Sequence, residues 1–329
     1  MEASLDLSRW GETPRGVGYR RWTMISTGLR QLLRLRLFKF LLGAAWSGGA
    51  VLAALGFLFS QSIATGGWLA SLAEFLGPRA EAMASVLGAF ILLYPDICIG
   101  GWFTLIFWLH SFLGLFLSLV ALTAMVPRLI TRDRATNALT VYLSRPLTSG
   151  DYLAGKLGMI VGVLVLMWTG PLIFGWLLSV AFAPSSDFIV HSIPSLGHAL
   201  AFHGIALVTL AAIALGVSAV SRTSRTTTVL WMGLWLVLGA VAKPPGAPEW
   251  LRRASFTYNL EQVRQGTFRL DQALTLASDT LPLLDPRVAQ NFRGAADKVQ
   301  PKGYAGALAS LGGFVLLGSF VFLRRLRPE

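Results

Sequence analysis

The sequence predicts an all-α, polytopic membrane protein with six transmembrane helices. It also predicts an N-terminal amphipathic interfacial helix and a short helix held in the cytosol between the second and third spans. Three observations carry this. The 329 residues are 54% hydrophobic and only 13% charged, with mean hydropathy +0.61, too apolar for a water-soluble domain of this length. Apolar runs of roughly 20 residues, enough to cross a hydrocarbon layer, recur along the chain. Lysine and arginine gather in alternate short connections, the pattern of the positive-inside rule. The net charge of +12 points to anionic partners, and in a membrane chain the first of these is the lipid head-group layer. No basic-aromatic pattern for nucleic acid accompanies it. A single cysteine, Cys98, excludes an internal disulfide framework and a cysteine metal cluster.

Residues 1–39 read as a cytosolic tail with the interfacial helix. Positions 1–22 hold no apolar core of signal-peptide length, so no cleavable leader is expected. Ile25, Leu29, Leu32, Leu33 and Leu37 recur at helical spacing while Arg30 and Arg34 lie one turn apart, which predicts an interfacial helix within Thr23–Lys39. Residues 40–126 hold the first two spans. The first is Phe40–Ile63, where Gly43, Ala44, Ser47, Gly48 and Gly49 allow close helix approach. Glu74, Gly77 and Pro78 mark a turn. The apolar stretch Val86–Val126 is too long for one span, and Asp96 after Pro95 divides it. A re-entrant or interfacial helix is expected at Met83–Tyr94 and the second span at Gly101–Val126. Asp96 belongs at the outer interface, because a charge at mid-bilayer costs ~2.5–3.5 kcal/mol.

Residues 127–156 are a polar connection, treated below. Residues 157–242 hold spans three to five. The third is Leu157–Phe182, with Gly170 and Pro171 expected to kink it. The fourth, Ala199–Val220, follows a short outer loop carrying Asp187, His191 and His198. The fifth, Val229–Ala242, is ended by the proline-rich stretch from Lys243 to Pro248. Residues 243–303 read as a long extracytoplasmic loop with short amphipathic helices. Residues 304–329 hold the sixth span, Tyr304–Leu323, and a basic cytosolic tail.

Lysine plus arginine number eight up to Lys39, five in 127–156, two in 221–228 and three after Leu323. The two short connections on the other side hold one, Arg79, and none. The 243–303 stretch holds nine, but long loops cross regardless of charge. Both termini are therefore expected in the cytosol, with the chain in the cytoplasmic (inner) membrane.

The 127–156 connection has a dense pattern of its own. Asp133 and Arg134 open it. Asn137 can cap a helix over Ala138–Ser144, which stops before Arg145 because Pro146 disfavours helical geometry there. Leu139, Tyr142 and Leu143 share one face at i, i+3 and i+4. Thr148 and Asp151 form a capping pair that starts the next helix, which enters the third span after Gly155 and Lys156. Connections of ~30 residues with their own helices are uncommon unless functional.

This stretch resembles the cytosolic loop of ABC-2 type transporter permeases. That loop reads roughly Arg-Glu-Arg-Glu-x-Gly-Thr-Leu-Glu, then Leu-Leu-Ser-x-Pro-Leu-Ser-x-x-x-Tyr-Leu-x-Gly-Lys. Arg132, Asp133 and Arg134 match its charged start. Leu139, Leu143, Ser144, Arg145, Pro146, Leu147, Thr148, Tyr152, Leu153, Gly155 and Lys156 match the remainder. The chain departs at Ala135, at Asn137 and Ala138, and at Thr140; asparagine tolerates the left-handed geometry a glycine would take. The resemblance implies a coupling helix that docks on a separate ATPase subunit. The chain would then be the permease subunit of an ATP-binding cassette exporter, paired with a second copy or a paralogue and with two ATPase subunits. ATP and magnesium would sit in those partners, with no cofactor in this chain.

Gly150 to Lys156 fits G-x-x-x-x-G-K, but Leu157 stands where a phosphate loop needs Ser or Thr, and no strand precedes it. No metal-ligand, carboxylate-pair or Ser/His/Asp set occurs, so no enzyme activity is expected. His110 and His203 are the only ionisable residues expected well inside a span, and so the candidate intramembrane polar sites; each reads first as a hydrogen-bonded interior residue. The tryptophans read as interface belt or packing residues. The alternative function is an ion-coupled secondary transporter or channel, which needs titratable groups at mid-membrane. The cargo class is not encoded in a motif; apolar, aromatic spans suit an amphipathic or lipid-like molecule.

Overall fold

The computed structural model describes residues 16–62, 67–131, 133, 148–280 and 286–325. Among these residues there are helices and no strands. Helix α1, Val17–Leu33, turns at Arg34 and Leu35 into α2, Arg36–Ser62. Next come α3, Trp68–Leu76, and α4, Pro78–Leu93. Gly77 joins them at φ 98°, a left-handed value that glycine adopts without a Cβ clash. Helix α5 covers Asp96–Arg128. Helix α6 is built from Ser149–Leu164, a π-helical turn Val165–Thr169, and Gly170–Ala181. Helix α7 is Asp187–Val220 and α8 is Ser224–Ala242. Four shorter helices follow: α9, Glu249–Ala254; α10, Phe256–Phe268; α11, Leu270–Thr280; and α12, Pro286–Val299. Helix α13, Tyr304–Arg325, ends the described chain.

Six stretches are long and apolar enough to cross a membrane: α2, α5, α6, α7, α8 and the stretch Pro286–Arg325 that contains α13. The six-span, all-α expectation holds. Small residues set the closest seams. A Cβ on Gly49 of α2 would lie 2.6 Å from the Pro171 carbonyl oxygen of α6, and one on Gly175 of α6 would lie 2.7 Å from the Gly49 carbonyl. Between α7 and α13, a Cβ on Gly216 would lie 3.0 Å from the Gly318 Cα. Backbones approach this closely only where no side chain intervenes. In α6, Pro171 has no N–H for the helical ladder, and the π-helical turn immediately before it absorbs the break. The Trp168 indole of that turn packs where a Gly114 side chain would stand.

Several limits differ from the sequence expectation. The second span begins at Asp96 rather than Gly101, and the helix expected over Met83–Tyr94 runs Pro78–Leu93 behind a separate α3. The stretch read as an outer loop with Asp187, His191 and His198 is the first third of α7. Hydrogen bonds to other helices hold it: Trp176 Nε1 donates to Ser192 Oγ (2.9 Å), Ser195 Oγ lies 2.8 Å from Thr104 Oγ1, and His191 Nδ1 lies 2.6 Å from Asp96 Oδ1. These contacts outweigh the missing N–H of Pro194. The Asp96 side chain remains 84% exposed.

The largest difference lies in 243–303. Its short helices are present as expected, but α10 enters the bundle and packs on α5, α7 and α13. Phe256, Leu260, Val263 and Phe268 are at most 1% exposed. Ser255 caps α10 by accepting from Tyr258 N (3.3 Å), and Asn259 Nδ2 donates to the carbonyls of Arg252 and Arg253 that end α9 (3.2 and 2.9 Å). Arg269, at φ 51°, turns the chain from α10 into α11.

Candidate functional site

The described residues on either side of 134–147 are each pinned to the bundle. On the outgoing side, Thr131 is 1% exposed. Its hydroxyl donates to the Ser218 carbonyl of α7 (2.9 Å) and lies 3.0 Å from Thr227 Oγ1 of α8. The Ile130 N–H donates to Ser218 Oγ (2.9 Å). The end of α5 is thus stitched to the end of α7 and the start of α8. Two residues on, Asp133 Oδ2 lies 2.6 Å from Lys156 Nζ of α6 and accepts from the Tyr152 hydroxyl (2.9 Å). Tyr152 is 1% exposed, and the Lys156 ammonium also stands over its ring, 5.3 Å from the centroid. A carboxylate held by an ammonium and a phenol in a largely water-excluded pocket is held more firmly than the same groups in solvent.

On the returning side, Thr148 and Asp151 form a capping box. Thr148 Oγ1 accepts from Asp151 N (3.2 Å), and Asp151 Oδ2 accepts from Thr148 N (3.3 Å). These bonds occupy orphan donors of the first turn, and the carboxylate suits the positive end of the helix dipole. Arg21 of α1 closes on the same carboxylate, donating from Nε and Nη2 to Oδ1 at 2.8 and 2.6 Å. Asp151 therefore joins the cap of α6 at Thr148 to α1.

Below that ion pair, α1 lies in a groove of glycines on α6. A Cβ on Gly155 would meet Met24 Cε at 2.5 Å, one on Gly158 would meet Ile25 Cγ1 at 2.7 Å, and one on Gly162 would meet Leu29 Cδ1 at 2.9 Å. Reciprocally, the place of a Gly28 side chain is filled by Met159. Ile25 and Leu29, read from sequence as part of an interfacial stripe, face α6, and Leu32 is 1% exposed.

Of the residues singled out in sequence, Asp133, Thr148, Asp151, Gly155 and Lys156 converge on this site. Arg134, Asn137, Leu139, Tyr142, Leu143, Arg145 and Pro146 lie outside the described residues. The G-x-x-x-x-G-K stretch is the first two turns of α6 rather than a loop, and its lysine is engaged by Asp133; it has no cradle for a phosphate. Sequence reasoning missed Arg21, Thr131, Ser218 and Thr227, whose partners lie 87–130 positions away. No local pattern reports such pairings.

His110 and His203 are buried, at 6% and 4% exposure. His203 Nδ1 lies 3.4 Å from Thr169 Oγ1, and its ring centroid is 4.1 Å from that of Trp168. They are not the only ionisable groups in the interior. Helix α10 brings in Arg264, fully buried, with its guanidinium carbon 4.4 Å from the Trp108 ring centroid and 3.1 Å from that of Phe112. Its Nη1 donates to the Trp108 carbonyl (3.2 Å) and its Nη2 to Glu261 Oε1 (2.7 Å). This cation belongs to a segment that looked like an outer loop. The available signal was Phe256, Leu260, Val263 and Phe268 at helical spacing beside it.

No curated protein matches the chain. A family described as ABC-2 family transporter protein matches residues 109–293, more than half of the chain. The match begins within α5 and ends within α12, so it takes in both ends of the 132–147 stretch, the glycine groove and the buried α10. With six apolar spans and that match, the chain belongs to the ABC-2 family of transporter proteins and is a multi-pass membrane permease.

Proposed function

We propose that this permease is the membrane subunit of an ATP-binding cassette exporter, and that a separate ATPase docks on its 127–156 loop. The observation that carries this is the double anchoring of that loop. A segment that receives force from another subunit must transmit it without slack. Here the outgoing end is tied to α7 and α8 through Thr131, and the two ends are tied to each other through Asp133 and Lys156. The returning end is tied to α1 through Asp151 and Arg21. A push on the loop would then move five helices together, α1 and α5 to α8.

In this reading the chain hydrolyses nothing itself; ATP and magnesium belong to the partner. Two ATPase subunits serve two permease chains, either copies of this one or one copy and a paralogue. The basic α1 and the Arg324–Arg325 end face the cytosol of the inner membrane, as charge asymmetry favours. The apolar, aromatic spans suit an amphipathic or lipid-like cargo moving outward.

The test is co-purification from the host membrane. The wild-type chain should bring down an ATPase subunit. Leu139→Asp and Leu143→Asp should lose it while keeping the wild-type melting temperature, since the sequence assigns both to the docking helix rather than to a span. Retention of the ATPase by both variants, or transport by the purified chain alone on an ion gradient, would overturn the assignment.

A further inference from the structure

At the end of the bundle away from the coupling loop, α2, α3, α4, α5, α11 and α12 enclose a half-open cavity of about 580 Å³. Its wall is almost wholly hydrocarbon, including Phe59, Phe90, Leu105, Leu274 and Phe292. The few polar atoms are nearly all engaged within the wall. Ser62 Oγ donates to the Phe59 carbonyl (2.6 Å), and Trp68 Nε1 donates to the Leu58 carbonyl (2.7 Å). Cys98 adds a free thiol. The Trp102 ring stacks on Phe59 at 5.0 Å, and its indole Nε1 is buried and presents no surface to the cavity.

Three physical points identify the occupant. The volume is that of a ligand pocket rather than a packing defect. Water is disfavoured, because each ordered molecule needs two to four polar partners and this wall offers little beyond a weakly bonding thiol. The helices α3 and α4 that help form the wall also carry bare apolar surface: Phe75, Leu76, Leu92 and Leu93 are 64–86% exposed, which in a spanning protein places them against lipid. We infer that this cavity binds one acyl chain of a phospholipid from the adjoining leaflet. The chain covers the hydrocarbon wall and brings no polar group into it. This requires only that the protein sits in a bilayer; it stands or falls separately from the ATPase docking.

The full-length protein, reconstituted in phosphatidylcholine bilayers containing a phospholipid with a diazirine on one acyl chain, provides the test. After illumination, adducts should concentrate on the peptides holding Trp102–Leu105 and Leu270–Ala277. Ala273→Trp, which fills the cavity from α11, should cut those adducts at least tenfold. Adducts on the outward-facing Leu316 and Phe320 of α13, 73% and 59% exposed, should not change. Ala277→Phe provides the same test should Ala273→Trp fail to fold. Cavity adducts that survive filling would overturn the acyl site, as would cross-links from its wall to a second protein chain in place of lipid.

Discussion

Gly158→Val tests the seam between α1 and α6 most sharply. The new Cβ would fall 2.7 Å from Ile25 Cγ1 and closer still to Ile25 Cδ1. Neither partner can yield easily, since valine and isoleucine are both β-branched and stiff at χ1 in a helix. Overpacking of this kind costs ~1–3 kcal/mol, and the better helix propensity of valine over glycine offsets less than ~0.5 kcal/mol of it. Ile25→Ala alone removes a half-buried side chain, roughly half of the ~2–5 kcal/mol seen for full burial. The two together should relieve each other. The valine would occupy the space that the isoleucine leaves, so the double variant should resemble Ile25→Ala alone, with a coupling of at least ~1 kcal/mol. Denaturant unfolding of the four proteins in mixed micelles, followed by tryptophan emission, measures that cycle. Additivity within ~0.3–0.5 kcal/mol, the behaviour of independent sites, would show that α1 does not lie in the glycine groove.

Two further outcomes are expected. Asp133→Asn, Lys156→Met and their double variant should give a coupling energy of ~1–3 kcal/mol in the same assay. That lies between exposed and buried pairs, because the side chains are only 16% and 11% exposed; a coupling under ~0.3 kcal/mol would mean the pair is screened. Glu261→Ala should destabilise the fold by ~3–5 kcal/mol, because it strips the countercharge from a guanidinium packed between Trp108 and Phe112. The double change Arg264→Met with Glu261→Gln should recover most of that loss in a thermal melt. An unchanged melt for Glu261→Ala would place Arg264 in contact with water rather than in the core.

The sequence by itself determined the class of the molecule. Length, hydropathy and charge alternation are local, additive quantities, so six spans could be read from them, and each span that was expected is present in the structure. The same holds for the capping pair at Thr148 and Asp151, since a cap is formed by residues three apart. The ends of the spans were less legible. Asp187 to His198 looked like a loop because its polarity is real; it is helical because Asp96, Thr104 and Trp176 supply partners from other helices.

Only the tertiary structure decided what lies inside. Residues 243–303 carry nine cations, and average polarity sends such a stretch to solvent. Yet one face of α10 is apolar enough to enter the bundle, and it takes Arg264 along because Glu261, the Trp108 carbonyl and two aromatic faces replace the water that the guanidinium gives up. The anchoring on either side of 134–147 has the same origin. Arg21 with Asp151, and Thr131 with Ser218, stand 130 and 87 positions apart. Their meeting is a consequence of how six helices pack, and no window along the chain contains both partners.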